Sequence, residues 1–172
     1  VFLKKVVIAF GKYKSNLRNC VACFVIYNFK KMNFKEIAYK SEEWTKAVQL
    51  REKVLREPLG SKFTDQELEE EKSHIQIAGF LDNELVATVV LVPDGENIKM
   101  QRVVVIDSLR NKNIGSEMMI FCEKLAVDRN FRLIYCHARD TAVNFYYKNH
   151  YEKDGDYFDE DGIPHLKMKK KL

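Results

Sequence analysis

The sequence predicts one α+β domain, a mixed sheet of about six to seven strands flanked by about four helices. Three observations predict it. The chain has 172 residues, 46% hydrophobic and 31% charged, with 7 Gly and 3 Pro; that is enough apolar material for one core and too much for a disordered chain. Stretches with a two-residue period outnumber those with a helical period. Early hairpins precede a strand–helix–strand unit, so the pattern is not a strictly repeating βαβ fold.

The elements follow in order. Phe34 to Tyr39 alternates apolar and polar, as a half-buried strand does. Ser41 stands at an N-cap position, with Glu42 and Glu43 where the helix dipole favours acid. Trp44, Ala47, Val48 and Leu55 share a helical face that ends near Pro58-Leu59-Gly60. Thr64-x-x-Glu67 is a capping box opening a short acidic helix to about Lys72. Ile75 to Leu81 is a strand, Asp82-Asn83 a turn, and Leu85 to Val92 an apolar, β-branched run suited to a central strand covered on both faces. Pro93-Asp94-Gly95 predicts the next turn and Ile98 to Ile106 another strand. The longest helix runs from about Asn113 to Arg129, with Ile114, Met118, Phe121, Cys122 and Leu125 as its inner stripe. Leu133 to His137 is a strand, and Asp140 is placed to cap a helix carrying Ala142, Phe145 and Tyr146. Strands near Tyr151 to Phe158 and His165 to Lys169, joined through Asp161-Gly162, complete the pattern.

Charge divides the chain. Residues 1–31 hold seven basic residues and no acidic ones, leaving 22 basic against 25 acidic residues in 32–172. The expectation is a basic N-terminal extension over 1–31, outside a domain spanning 32–172. The slightly acidic body offers no patch for a phosphate backbone, so no nucleic-acid partner is expected. No apolar run approaches the ~18 residues of a membrane span, and a cytoplasmic location is expected. Cys20 and Cys23 form a C-x-x-C, but no second ligand pair follows, so no metal is expected.

The chemistry concentrates at 103–116. The strand Val103-Val104-Val105-Ile106 runs through a polar loop into Arg110-Asn111-Lys112-Asn113-Ile114-Gly115-Ser116. The first N–H groups of a helix lack intrahelical partners and the dipole favours an anion there. Asn111, Asn113 and Gly115 tolerate positive φ or close backbone approach, while Arg110 and Lys112 add charge. A phosphate or pyrophosphate fits; so does an ordinary loop with solvated basic residues. Neither a P-loop nor a G-x-G-x-x-G fingerprint is present.

Arg110-x-x-Asn113-x-Gly115 resembles the acetyl-CoA pyrophosphate loop of the GNAT N-acetyltransferase superfamily, with Asn113 in place of the first glycine. Ala142-Val143-Asn144-Phe145-Tyr146-Tyr147-Lys148-Asn149-His150-Tyr151 is similar to a second family segment, with His150 replacing Gly. Val54-Leu55-Arg56-x-Pro58-Leu59-Gly60 and Phe158-Asp159-Glu160-Asp161-Gly162-Ile163-Pro164-His165 resemble one bacterial branch. The resemblance covers about residues 33–172.

It implies a GNAT-like twisted sheet whose central parallel strands, 99–106 and 132–137, splay apart. Acetyl-CoA would be the cosubstrate. Its pantetheine arm would lie along Val103-Val104-Val105, pairing with backbone groups of Val103 and Val105. Its pyrophosphate would sit on Arg110, Asn111, Lys112, Asn113, Ile114, Gly115 and Ser116, with Arg139, where the family often has Asn, and Asn144 as further cofactor contacts. Tyr146 falls on the tyrosine that commonly faces the thioester sulfur. The reaction would be attack by a primary amine, of which only about one molecule in 2,500 is neutral at pH 7, a penalty of ~4.6 kcal/mol. Glu84, Glu96, His137 and His165 are candidate bases, with His137, at the end of the splayed strand, preferred. The expected partners are acetyl-CoA and an amine of unspecified identity, with homodimer assembly. Two other readings stand beside this one: a catalytically idle acyl-CoA-binding sensor or partner module, prompted by Asn113 and His150, and an unrelated phosphate- or nucleic-acid-binding domain, prompted by the basic leader.

Overall fold

A computed structural model of the chain describes residues 32–172. The Cys20–Cys23 pair and the nature of the 1–31 extension lie outside the described residues. Eight strands form one sheet: β1 (Met32–Ile37), β2 (Ile75–Leu81), β3 (Glu84–Asp94), β4 (Asn97–Val105), β5 (Leu133–Arg139), β6 (Glu152–Lys153), β7 (Phe158–Glu160) and β8 (Ile163–Lys171). Their order is β1-β2-β3-β4-β5-β8-β6, with β7 on β8. The β4–β5 pair is parallel and the other pairs are antiparallel.

Among the described residues four α-helices cover the sheet: α1 (Glu42–Arg51), α2 (Asp65–Glu70), α3 (Ile114–Asp128) and α4 (Val143–Lys148). Ser41 caps α1 by accepting from the Trp44 N–H, and Thr64 and Glu67 form the expected capping box of α2. Trp44, Ala47 and Val48 of α1 pack with Phe63 against Ile37 and Ala78 on one face. Met118, Met119, Cys122 and Ala126 of α3, with Val143 and Tyr146 of α4, pack on the other face against Ile77, Val89, Ile98, Ile134 and Cys136. Strand β3 is covered on both sides, as its apolar run predicts; Ala87, Val89, Val90 and Leu91 are fully buried.

Several boundaries differ from expectation, each for a local reason. Pro93 and Asp94 still belong to β3, and the turn is Gly95-Glu96, where Gly95 supplies a φ of +59°. The first helix does not run on to Pro58. It changes at Glu52 into a π-helical turn through Arg56, then a 3₁₀ turn, and ends at left-handed Gly60. Asp140 caps nothing; it starts a 3₁₀ turn, and Ala142 is the N-cap of α4. Tyr151 to Phe158 is not one strand but two short ones separated by a bend, because Gly155 takes a φ of +90° and Asp154 turns to pair with Lys167 and Lys169.

Candidate active site

The site begins where β4 and β5 part. They pair only from Asn97–Leu133 to Lys99–Tyr135. Beyond that, β5 keeps its bonds to β8 on one edge while its other edge and that of β4 face an open wedge. The Ile106 N–H donates to the Val86 carbonyl on β3. Because backbone groups alternate along a strand, those of Val103 and Val105 point away from β3 into the wedge.

A bulge sets this arrangement. The β3–β4 register shifts between Thr88 and Val90, opposite Gln101 to Val104, and Arg102 takes a φ of +54°. Ile98 and Met100 belong to the core under α3, and Val103 and Val105 pack against that core too; the extra residue restores them to that face. Arg102 is left on the α1–α2 face. There its guanidinium lies 4.5 Å from the Phe63 ring centroid and pairs with the Oε1 atom of Glu71. Glu71 is fully buried, and its Oε2 accepts from Arg51 and from the Trp44 indole, each at 2.9 Å. Burial lowers the Arg51 pKa to about 10. Burial, then the nearby Arg51 charge, lowers that of Arg102 to about 10.

At the mouth of the wedge, a 3₁₀ turn (Asp107–Leu109) leads into the loop before α3. Asn111 and Asn113 hold left-handed backbone, φ +62° and +66°, as their residue type suggests. Gly115 does not. It sits in the first turn of α3 without positive φ, and a Cβ there would lie 3.0 Å from the Phe145 ring, which would have to give by a few tenths of an ångström. The first intrahelical bond of α3 runs from the Glu117 N–H to the Asn113 carbonyl, so the N–H groups of Ile114, Gly115 and Ser116 have no intrahelical partner. Asn113 offers no side-chain cap to them. Arg110 and Lys112 are exposed, and Arg110 pairs with Asp107 at 2.7 Å. Val104 is buried.

Tyr146 and His137 stand on opposite faces of the sheet at this fork. Tyr146 is buried on α4, against Phe145 and Tyr151, with its hydroxyl by the Cys136 thiol. Cys136 is the first β5 residue past the last β4–β5 pair. Burial, with the neighbouring thiol, pushes the Tyr146 pKa well above the ordinary phenol value, so the hydroxyl is protonated at neutral pH. His137 faces the other way, half-buried, with Nδ1 2.8 Å from Glu160 Oε2 and the Phe158 ring edge-on at 4.9 Å. With Nδ1 donating to the carboxylate, Nε2 carries the lone pair.

The other expected residues fall elsewhere. Arg139 emerges on the His137 side of β5, where it reaches the Leu55 carbonyl at 3.4 Å. Asn144 is exposed and lines a polar recess of about 470 Å³ with Asp140, Tyr147, Asp156 and Tyr157. His165 Nδ1 is tied to the Ile163 carbonyl at 2.8 Å, and Glu96 pairs with Arg132 at 3.2 Å. Glu160 and Arg102 were not singled out by sequence reasoning; the signal for Glu160 is the F-D-E-D-G turn that folds β7 back on β8.

The chain is 27% identical over 142 residues to an acetyltransferase candidate of Bacillus subtilis (strain 168), covering 81% of this chain and 96% of that protein. The crystal structure of Escherichia coli ElaA superposes with a TM-score of 0.69 at 21% identity, over 81% of this chain and 99% of the other. An aminoglycoside 6'-N-acetyltransferase crystallised with coenzyme A superposes with a TM-score of 0.67 at 18% identity, over 81% and 96% of the two chains. At these identities the solved structures speak for the fold. The family model for the acetyltransferase (GNAT) domain matches residues 37–172. By that match over most of its length, this chain, an acyltransferase, belongs to the GNAT acetyltransferase family.

Proposed function

We propose that the protein moves the acetyl group of acetyl-CoA to a primary amine by direct attack on the thioester. The observation that carries this reading is the wedge between β4 and β5, with unpaired backbone groups of Val103 and Val105 on its edge, free helix N–H groups at its mouth, and Tyr146 and His137 on its two faces. Those groups suit an amide-bearing arm ending in a pyrophosphate. The amine nitrogen attacks the thioester carbonyl, the C–N bond forms and the C–S bond breaks. His137 Nε2 takes the proton the nitrogen loses, with Glu160 stabilising the resulting imidazolium. Tyr146 donates toward the departing sulfur. Burial raises its pKa and keeps the hydroxyl protonated, as a donor must be.

The idle-sensor reading loses its support. Asn113 and His150 replace family glycines, yet both hold the left-handed conformation a glycine would, each with a φ of +66°. A domain beginning near residue 32 is supported by the family match from residue 37 onward. A cytoplasmic location is in keeping with the free, buried Cys122 and Cys136, and among the described residues no helix is long and apolar enough to cross a membrane. The test is thiol release from acetyl-CoA against a panel of primary amines. Amine-dependent release is expected; acetyl-CoA binding with no amine-dependent release from any amine would overturn transfer in favour of binding alone.

A further inference from the structure

We propose that the acceptor carries a carboxylate close to its reacting amine, and that Arg139 holds that carboxylate. This rests on the transferase reading and specifies its substrate class. Arg139 follows His137 by two residues on β5, where intermediate and buried positions alternate strictly. The two side chains therefore leave the same face of the strand, about 7 Å apart at their Cα atoms. The π-helical turn at Leu55 lies over one of them and β7 over the other, since Arg139 reaches the Leu55 carbonyl and His137 reaches Glu160.

The charge around Arg139 is unbalanced. It is half-buried, its hydrogen bond to Leu55 is long at 3.4 Å, and among the described residues it has no ion pair. Glu160 on β7 is paired with His137, and on the α1–α2 face Glu67 is paired with Arg56 and Glu71 with Arg51 and Arg102. A guanidinium presents five donors in a planar fork that matches a carboxylate. A half-desolvated fork with one weak neutral partner, one pleat from the base, is completed by an anion delivered with the acceptor.

The experiment compares each protein amino acid as the free acid and as its carboxamide, with acetyl-CoA and thiol release as the readout. At least one free acid should exceed its carboxamide in kcat/KM by about 30-fold, the scale of a charge-assisted hydrogen-bond pair. In Arg139→Gln that ratio should fall below ~3-fold through the KM of the free acid, with the KM of acetyl-CoA unmoved. Arg139→Lys should keep part of the preference, which separates loss of the fork from loss of the fold. Equal use of acids and carboxamides, a preference that survives Arg139→Gln, or a loss that falls on acetyl-CoA would each overturn the inference. Turnover of no free acid would overturn it as well. Simple amines turned over in that case would leave the transferase reading standing, while acetyl-CoA neither bound nor cleaved would remove that reading too.

Discussion

Asn113 is the residue where backbone conformation and binding meet. Its φ of +66° puts it in the left-handed region at the N-cap of α3, and its side chain caps nothing. What the site needs is the conformation, so Asn113→Gly should keep acetyl-CoA affinity within about threefold of the parent. Asn113→Val forces a β-branched side chain into that region at a cost of ~1–2 kcal/mol. Calorimetry should then show weaker acetyl-CoA binding in a chain that is still folded; equal affinity of the two variants would refute the loop geometry. At Tyr146 the expectation concerns chemistry. Tyr146→Phe removes one buried hydroxyl beside Cys136 and keeps the ring. Turnover should fall at least ~30-fold in kcat and kcat/KM alike, as general-acid assistance requires. Tyr147, 45% exposed, is the control, and Tyr147→Phe should be near the parent. A sensitive Tyr147 with an insensitive Tyr146 would refute the assignment. The places of Asn113 before α3 and of Tyr146 on α4 were legible in the sequence because motif spacing carries them. Glu160 was not, since its place beside His137 follows from two registers on β8: β7–β8, which pairs Glu160 with Ile163, and β5–β8, which pairs Arg139 with His165.

Among elements, the least expected feature is the join of α1, the turn after α2 and the β4 bulge. Glu71 holds all three: it accepts from Arg51 and Trp44 of α1 and pairs with Arg102 at the bulge. Arg51 and Glu71 have no exposed surface, so each charge depends on the other. Glu71→Ala leaves Arg51 buried without its anion, and breaking such a pair costs about 3–5 kcal/mol. Urea unfolding should show that loss, whereas Glu69→Ala, at an exposed pair with Lys40, should stay near the parent. A Glu71→Ala chain as stable as the Glu69→Ala chain would show that the buried pair does not clamp the bulge. Helix starts were readable because caps are local, as Ser41 and Thr64 show. The bulge and the π-helical turn were not, because Arg102 takes its left-handed backbone from partners 31 residues away in sequence.

Over the whole molecule, the sheet composition followed from the order of periodic segments and the splayed parallel pair from the family resemblance, while the packing of Tyr146 on Cys136, on the face opposite His137, came from the docking of α4 on β5. Packing also decides how the fold meets acid. His74 is held below the ordinary histidine pKa, chiefly by burial and against the pull of Glu70, and its Nδ1 is buried without a partner. Asp154 is held below the usual carboxylate range by Lys169 and then Lys167, Glu42 by Lys46, and Glu69 by Lys40 and Tyr39. Glu67 is lowered as well: burial pushes it up, but the Thr64 hydrogen bonds and the Arg56 and Arg102 charges prevail. All these groups bind protons less readily when folded, so the unfolded chain takes up more protons and stability falls as pH falls. Two windows result. The first opens below the unfolded histidine value of ~6.5, and the second begins near the unfolded carboxylate values of ~4 and runs down through the depressed folded ones. Urea midpoints should therefore decline between pH 7.5 and 5 and decline further below ~4. In His74→Gln the first decline should shrink while the second persists, because the carboxylate pairs are untouched. Midpoints that are flat to pH 5 in the parent, or a first decline unchanged in His74→Gln, would show that His74 is not the group that opens it.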